Sequence, residues 1–175
     1  MSLGTIFGPF NRLYRLLILA ILIIIFVRVA IDSIWKIRVA AERTHVAWMF
    51  GTMQSAIGLE VATRAVKGGL AEIARLDQSN PFELLDTLKD PMIGAHPYLG
   101  ELNHPDPQDI APGSWYFDTK TRVLNYRVLM DELFVSDLSG PARIRFALRG
   151  HYTSSGDFKN IALVALDEYR WMEPE

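Results

Sequence analysis

The sequence predicts an α+β protein in which one long N-terminal helix lies over an antiparallel sheet of about four strands. Three observations predict it. Residues 16–27 read LLILAILIIIFV and hold no polar side chain. From Ala30 to Leu76 apolar residues recur mostly at steps of three and four, with no proline between them. After Ser114 the hydrophobic period changes to two, the period of a half-buried strand.

The chain of 175 residues has the length of one domain with an anchor in front of it. Its net charge of −2 offers no basic excess to a phosphate backbone, so no nucleic-acid partner is expected. It has no cysteine. That excludes a disulfide framework, a cysteine nucleophile and a thiolate metal site.

The anchor is Leu16, Leu17, Ile18, Leu19, Ile21, Leu22, Ile23, Ile24, Ile25, Phe26 and Val27, bracketed by Arg15 and Arg28. Twelve helical residues cover roughly 18 Å, whereas a bilayer core of roughly 30 Å needs about 20 residues. A spanning helix therefore runs from Leu13 to Trp35, with Arg15 and Arg28 snorkelling outward. Tyr14 and Trp35 then stand where interfacial aromatics stand. A cleaved signal peptide would need a small-x-small site where the chain reads RVAIDSIW. An interfacial helix would be apolar on one side only, and a buried soluble-core helix rarely lacks every polar atom over such a run. The chain thus divides into a tail (1–12), a transmembrane helix (13–35), an amphipathic continuation (36–76) and a loop-and-sheet region (77–175). Arg12, Arg15 and the amino terminus precede the run. Arg28, Lys36, Arg38 and Arg43 follow it, diluted by Asp32 and Glu42. The positive-inside count leans toward a cytoplasmic C-terminus.

Past the anchor, Ile34, Val39, Val46, Met49, Met53, Ile57, Val61, Ala65, Leu70 and Ile73 form the apolar stripe. Met49, Met53, Ile57 and Val61 are its part expected to pack on the sheet. Glu42, Arg43, Gln54, Glu60, Arg64 and Lys67 read as wet faces. One helix is expected from Phe10 to about Ala65, with a bend near Gly68. Gly51 and Gly58, seven apart, lie on one face; they either admit a second helix closely or merely loosen this one.

Residues 77–113 hold six prolines and read as a long loop. Within it a short helix Phe82–Leu88 is expected, N-capped by Asn80 with Pro81 at its first position. Four strands follow. In the first, 114–118, Trp115 and Phe117 face inward. A turn at 118–121 leads to 122–128, with Leu124, Tyr126 and Val128 inward. In 143–149, Ile144, Phe146 and Leu148 point inward and Arg143, Arg145 and Arg149 outward. The last, 160–172, is long and bulged near Leu166. The expected sheet core is Trp115, Phe117, Leu124, Tyr126, Ile144, Phe146 and Leu148.

No catalytic constellation emerges. His45, His96, His104 and His151 form no i, i+4 pair, and neither a GxSxG elbow nor a Gly-rich phosphate loop is present. Glu101, His104, Asp106 and Asp109 cluster in the proline-rich loop, but their spacing fits no calcium loop. The expectation is a non-enzyme without cofactor or metal. The arginine row is either a solvated face or a surface for an acidic partner.

The order of elements, with PGSWYFDTKTRVLNYRV (112–128) and NPFELL…PYLGEL (80–85 and 97–102), resembles the type IV pilins and type II secretion pseudopilins. The resemblance implies a pilin-like fold and a structural or assembly role, as a minor-pilin-type accessory. It also implies an inner-membrane anchor and a periplasmic C-terminal domain, against the charge count. The partners it implies are the lipid bilayer and other pilin-like or assembly-machinery proteins. The family's peptidase site, a glycine followed at the fifth position by glutamate, has no match. Gly4 leads to Pro9, and Gly8 leads to Arg12 or Leu13, depending on the count. This departure implies an uncleaved, membrane-retained protein.

Overall fold

The computed structural model describes residues 10–85 and 96–172. The tail glycines Gly4 and Gly8, and residues 86–88 of the expected short helix, lie outside them.

Helix α1, Phe10–Ala74, is the first described element. Its conformation breaks at Gly69, with φ 66° and ψ −151°. Only glycine enters that region cheaply, and a Cβ there would meet nothing within 4 Å, so the break is a matter of backbone and not of crowding. The helix thus runs past Ala65, turns one residue after Gly68, and resumes to Ala74. Beyond it the Gln78 N–H donates to the Leu148 carbonyl at 3.0 Å, which ties the exit to the sheet. Asn80 does cap a helix, its side chain accepting from the Phe82 N–H at 3.0 Å, but the element is a 3-10 turn, Pro81–Leu84.

The sheet differs from the expected four antiparallel strands. It has five, in the order β1-β2-β3-β5-β6, and it is mixed. They are β1 Tyr98–Leu102, β2 Trp115–Asp118, β3 Val123–Arg127, β5 Arg143–Tyr152 and β6 Phe158–Ala165. The pair β1·β2 is parallel and the other neighbours are antiparallel. Strand β1 falls in the stretch read as loop. Pro97 and Gly100 obscured it, yet Tyr98 and Leu102 stand two apart from Gly100 on one side. Gly100, at φ 89°, lies within the register shift between Tyr98 and Glu101.

The long final strand is also corrected. Asn160–Met172 divides into the end of β6 and a separate β7, Tyr169–Trp171, which pairs with β4, Phe134–Ser136, as a small second sheet. The break follows Leu166, whose N–H makes a last rung to the Arg145 carbonyl at 2.9 Å. Asp167 then turns back onto the Arg145 guanidinium, with contacts of 2.5 and 2.6 Å.

One core joins helix and sheet. Val46, Met49, Met53, Ala56 and Ile57 of α1 meet Trp115, Phe117, Leu124, Tyr126, Ile144, Phe146 and Leu148. These seven sheet residues expose 1% or less of their surface. Val61 packs half-buried at the edge. Ile34, Ala65 and Leu70 are exposed and leave the stripe, while Val39 and Ile73 are buried in it. At 100° per residue Ile34 points well away from Val39.

Candidate functional site

The features that bear on function lie along α1. At its N-terminal end, every anchor residue from Leu16 to Val27 is exposed, from 46% at Val27 to 74% at Phe26. No part of the most apolar window is buried within the chain. The helix is long and apolar enough to cross a membrane. Arg28 pairs with Asp32 at 3.7 Å, four residues on, across exposed side chains.

Beyond the anchor the helix has two faces. The inner one carries the core residues. The outer one is Ile34, Ile37, Ala41, Thr44, Trp48, Thr52, Ser55, Leu59, Ala62 and Val66, again at steps of three and four. None of these is ionisable. Ile37, Leu59 and Val66 are largely exposed. The hydroxyls near this face turn back onto their own helix: Ser33, Thr44, Thr52, Ser55 and Thr63 each donate to the carbonyl four residues earlier, at 2.7–3.0 Å. Gly51 and Gly58 flank the face, and a Cβ on either would meet nothing within 4 Å. The outer face is therefore apolar or internally satisfied over most of its length.

Where the helix leaves the anchor, a buried polar cluster fixes it to the sheet. Glu42, expected on a wet face, is only 3% exposed. Its Oε1 accepts the Tyr126 hydroxyl at 2.8 Å and the Leu129 N–H at 2.6 Å, and its Oε2 accepts the Met130 N–H at 2.9 Å. The spacing Glu42–Val46–Met49–Met53 puts this carboxylate in line with the buried stripe, and that spacing was the available signal. Burial first, and the adjacent Glu42 carboxylate second, push the Tyr126 phenol well above its ordinary value, so it stays an O–H donor. His96 Nδ1 lies 3.0 Å from both the Tyr126 oxygen and the Gly113 carbonyl. A carbonyl only accepts, so Nδ1 carries the proton. The His45 ring stacks on His96 at 4.1 Å, and its Nε2 is buried without a hydrogen-bond partner among the described residues. Burial first, then His96, lowers the His45 pKa to about 4.

The loop carboxylates and the arginine row have separate roles. Glu101 accepts from Asn80, Asp106 caps its own turn at the Gln108 N–H, and His104 Nδ1 contacts Asp118 at 3.1 Å. Among the described residues no three His, Asp or Glu side chains converge to hold a metal. Arg145 is committed to Asp167, whereas among the described residues Arg143 donates only to the Ser139 and Pro141 carbonyls. On this outer sheet face a groove of about 470 Å³ opens between β2, β3, β5 and the 104–107 turn.

No protein-family profile, no curated protein and no solved structure matches this chain significantly.

Proposed function

We propose that the chain is a membrane-anchored, pilin-like structural or assembly subunit of a type IV pilus or type II secretion system. In this reading it is a single-pass protein of the bacterial inner membrane with its sheet domain in the periplasm. Its partners are the bilayer and other pilin-like or assembly proteins. The observation that carries the reading is the division of labour on α1. One face packs on the sheet, while the opposite face is free of charge from the anchor to Val66. A helix face whose hydroxyls are satisfied internally is suited to another helix, in lipid or just outside it. The absence of glutamate five residues after Gly4 or Gly8 favours an uncleaved accessory that stays in the membrane.

The absence of cysteine makes a clean test. Leu59→Cys on the outer face and Lys159→Cys on β6 are expressed in cells, then exposed to a short bifunctional thiol cross-linker. Leu59→Cys is expected to join the chain to a second copy or to a pilin-like protein carrying a matching cysteine, and Lys159→Cys is not. Equal cross-linking from both positions, or none from Leu59→Cys, rejects a helix partner. Protease added to spheroplasts should digest the sheet domain; protection would put it on the cytoplasmic side. A membrane-anchored periplasmic protein-binding module unrelated to pili is the second reading, favoured by the polar groove on the outer sheet face. Copurification with secretion or pilus components separates the two.

A further inference from the structure

The outer sheet face carries a groove that neither the anchor nor the helix interface uses. Strand alternation builds it. Where Trp115, Phe117, Leu124, Tyr126, Ile144 and Phe146 point into the core, Tyr116, Asn125, Arg143 and Arg145 point the other way. The turn His104–Pro107 forms one wall. The volume of about 470 Å³ falls within the range of small-ligand sites, about 300–1,000 Å³.

Its polar groups are unequally committed. Asp118 is fully engaged: its Oδ1 takes the N–H groups of His104, Lys120 and Thr121 at 2.9–3.3 Å, and its Oδ2 faces His104 Nδ1. Against the cost of burial, these hydrogen bonds hold its carboxyl below the usual range, so it is a fixed anion already surrounded by donors. Arg145 is closed by Asp167. Two donors remain. Arg143 spends only Nη1, and only on two carbonyls. Tyr116 is 2% exposed overall, but its hydroxyl still opens to the groove and has no hydrogen-bond partner among the described residues. Met only by solvent, that hydroxyl is free to donate to a ligand in the groove. Asn125, also buried, donates from Nδ2 to the Val123 carbonyl and keeps Oδ1 as an acceptor.

We propose that this groove binds an acidic peptide segment of a partner protein. An aspartate or glutamate carboxylate is received by Arg143 and the Tyr116 hydroxyl, and a neighbouring backbone N–H is received by Asn125 Oδ1. A guanidinium fork beside a phenolic O–H is a donor set that matches the two oxygens of a carboxylate. The adjacent amide acceptor matches the peptide bond that a free small acid lacks.

The test uses the full chain in detergent micelles, with backbone amide resonances of β2, β3 and β5 followed as blocked single residues are titrated. N-acetyl-glutamate amide should shift the resonances around Tyr116, Asn125 and Arg143 saturably, with an affinity of about 1 mM for a ligand of its size. Arg143→Gln should weaken it about tenfold. Tyr116→Phe, which removes only an oxygen open to the groove and without a partner among the described residues, should weaken it about fivefold and leave the melting temperature unchanged. Arg149→Gln, on the same strand but outside the groove, should bind as the parent does. The proposal is overturned if the glutamate analogue does not saturate, or if the glutamine or lysine analogue binds as tightly. It is overturned equally if Tyr116→Phe binds like the parent. Acetate matching the blocked glutamate would overturn the peptide assignment.

Discussion

Replacing Glu42 tests whether helix and sheet are joined by a buried polar clamp as well as by apolar packing. The carboxylate receives three donors, and their fates differ on truncation. In Glu42→Ala the Tyr126 hydroxyl and the Met130 N–H remain buried without an acceptor, each at about 1–3 kcal/mol. The Leu129 N–H belongs to a residue 49% exposed, so water can reach that segment, at under about 1 kcal/mol. The desolvation cost of the buried carboxylate is recovered in the variant and offsets part of the loss. The expected net destabilisation is about 3–5 kcal/mol, the size found when one partner of a buried charged group is removed. Glu42→Gln keeps one acceptor oxygen but turns an amide NH₂ toward a donor, for a loss of about 2–3 kcal/mol. Urea unfolding of the full chain in micelles, followed by tryptophan fluorescence, reads both, since Trp115 lies fully buried in the core. Tyr126→Phe should cost about 1–2 kcal/mol. The double variant with Glu42→Ala should fall short of additivity by a similar amount, because the hydroxyl and the carboxylate share one bond. A loss under about 1 kcal/mol for Glu42→Ala, or strict additivity with Tyr126→Phe, would refute the clamp.

Other perturbations follow the same logic. With a folded pKa of about 4, His45 takes up its proton later than in the unfolded chain, where the value is about 6.5. Stability should therefore be constant above neutrality and fall by about 1–2 kcal/mol between pH 6.5 and 4, after discounting for the partly exposed ring; His45→Leu should flatten that slope in urea titrations. Met53→Ala, at a site with no exposure, should cost about 2–5 kcal/mol in the same assay. Gly69→Ala should destabilise by about 1–3 kcal/mol through its backbone conformation alone, since φ 66° with ψ −151° is almost closed to other residues while a Cβ there meets open space. Gly51→Ala should have the opposite sign in the monomer, a gain of about 0.5–1 kcal/mol, while weakening any close helix partner in the cross-linking experiment.

The helix and the hairpin at its heart were legible in the sequence because both follow strict periodicities. The twelve-residue apolar run, the Met49–Met53–Ile57 steps and the alternation through Trp115, Phe117, Leu124 and Tyr126 are local patterns that tertiary context has no reason to override. What escaped was set by partners far away in the chain. Strand β1 is short, holds a glycine at positive φ and pairs in parallel with a strand more than a dozen residues later, so nothing local marks it. The final strand broke at Leu166 because Asp167 has a distant partner in Arg145. Glu42 looked solvated by residue type although its spacing matched the buried stripe. Residue type and position disagreed there, and position decided, because β3 and the segment that follows it supply three donors that α1 alone does not have.

That disagreement bears on how the proposed anchor and domain cooperate. Apolar packing of Met49, Met53 and Ile57 tolerates small sliding of a helix over a sheet, since dispersion contacts are non-directional. A carboxylate shared among a tyrosine hydroxyl and two consecutive backbone N–H groups does not, because each bond is directional and a shift of one helical residue would strand all three donors. Glu42 lies seven residues beyond Trp35, the expected edge of the span, so the clamp fixes register close to where the helix would leave the bilayer. The sheet domain is thereby held in one rotation about the helix axis, and the uncharged face from Ile34 to Val66 is kept pointing away from it. If the clamp sets that orientation, Glu42→Gln should lower cross-linking at Leu59→Cys even at temperatures where the variant remains folded. Unchanged cross-linking in a folded Glu42→Gln chain would show that apolar packing alone fixes the helix.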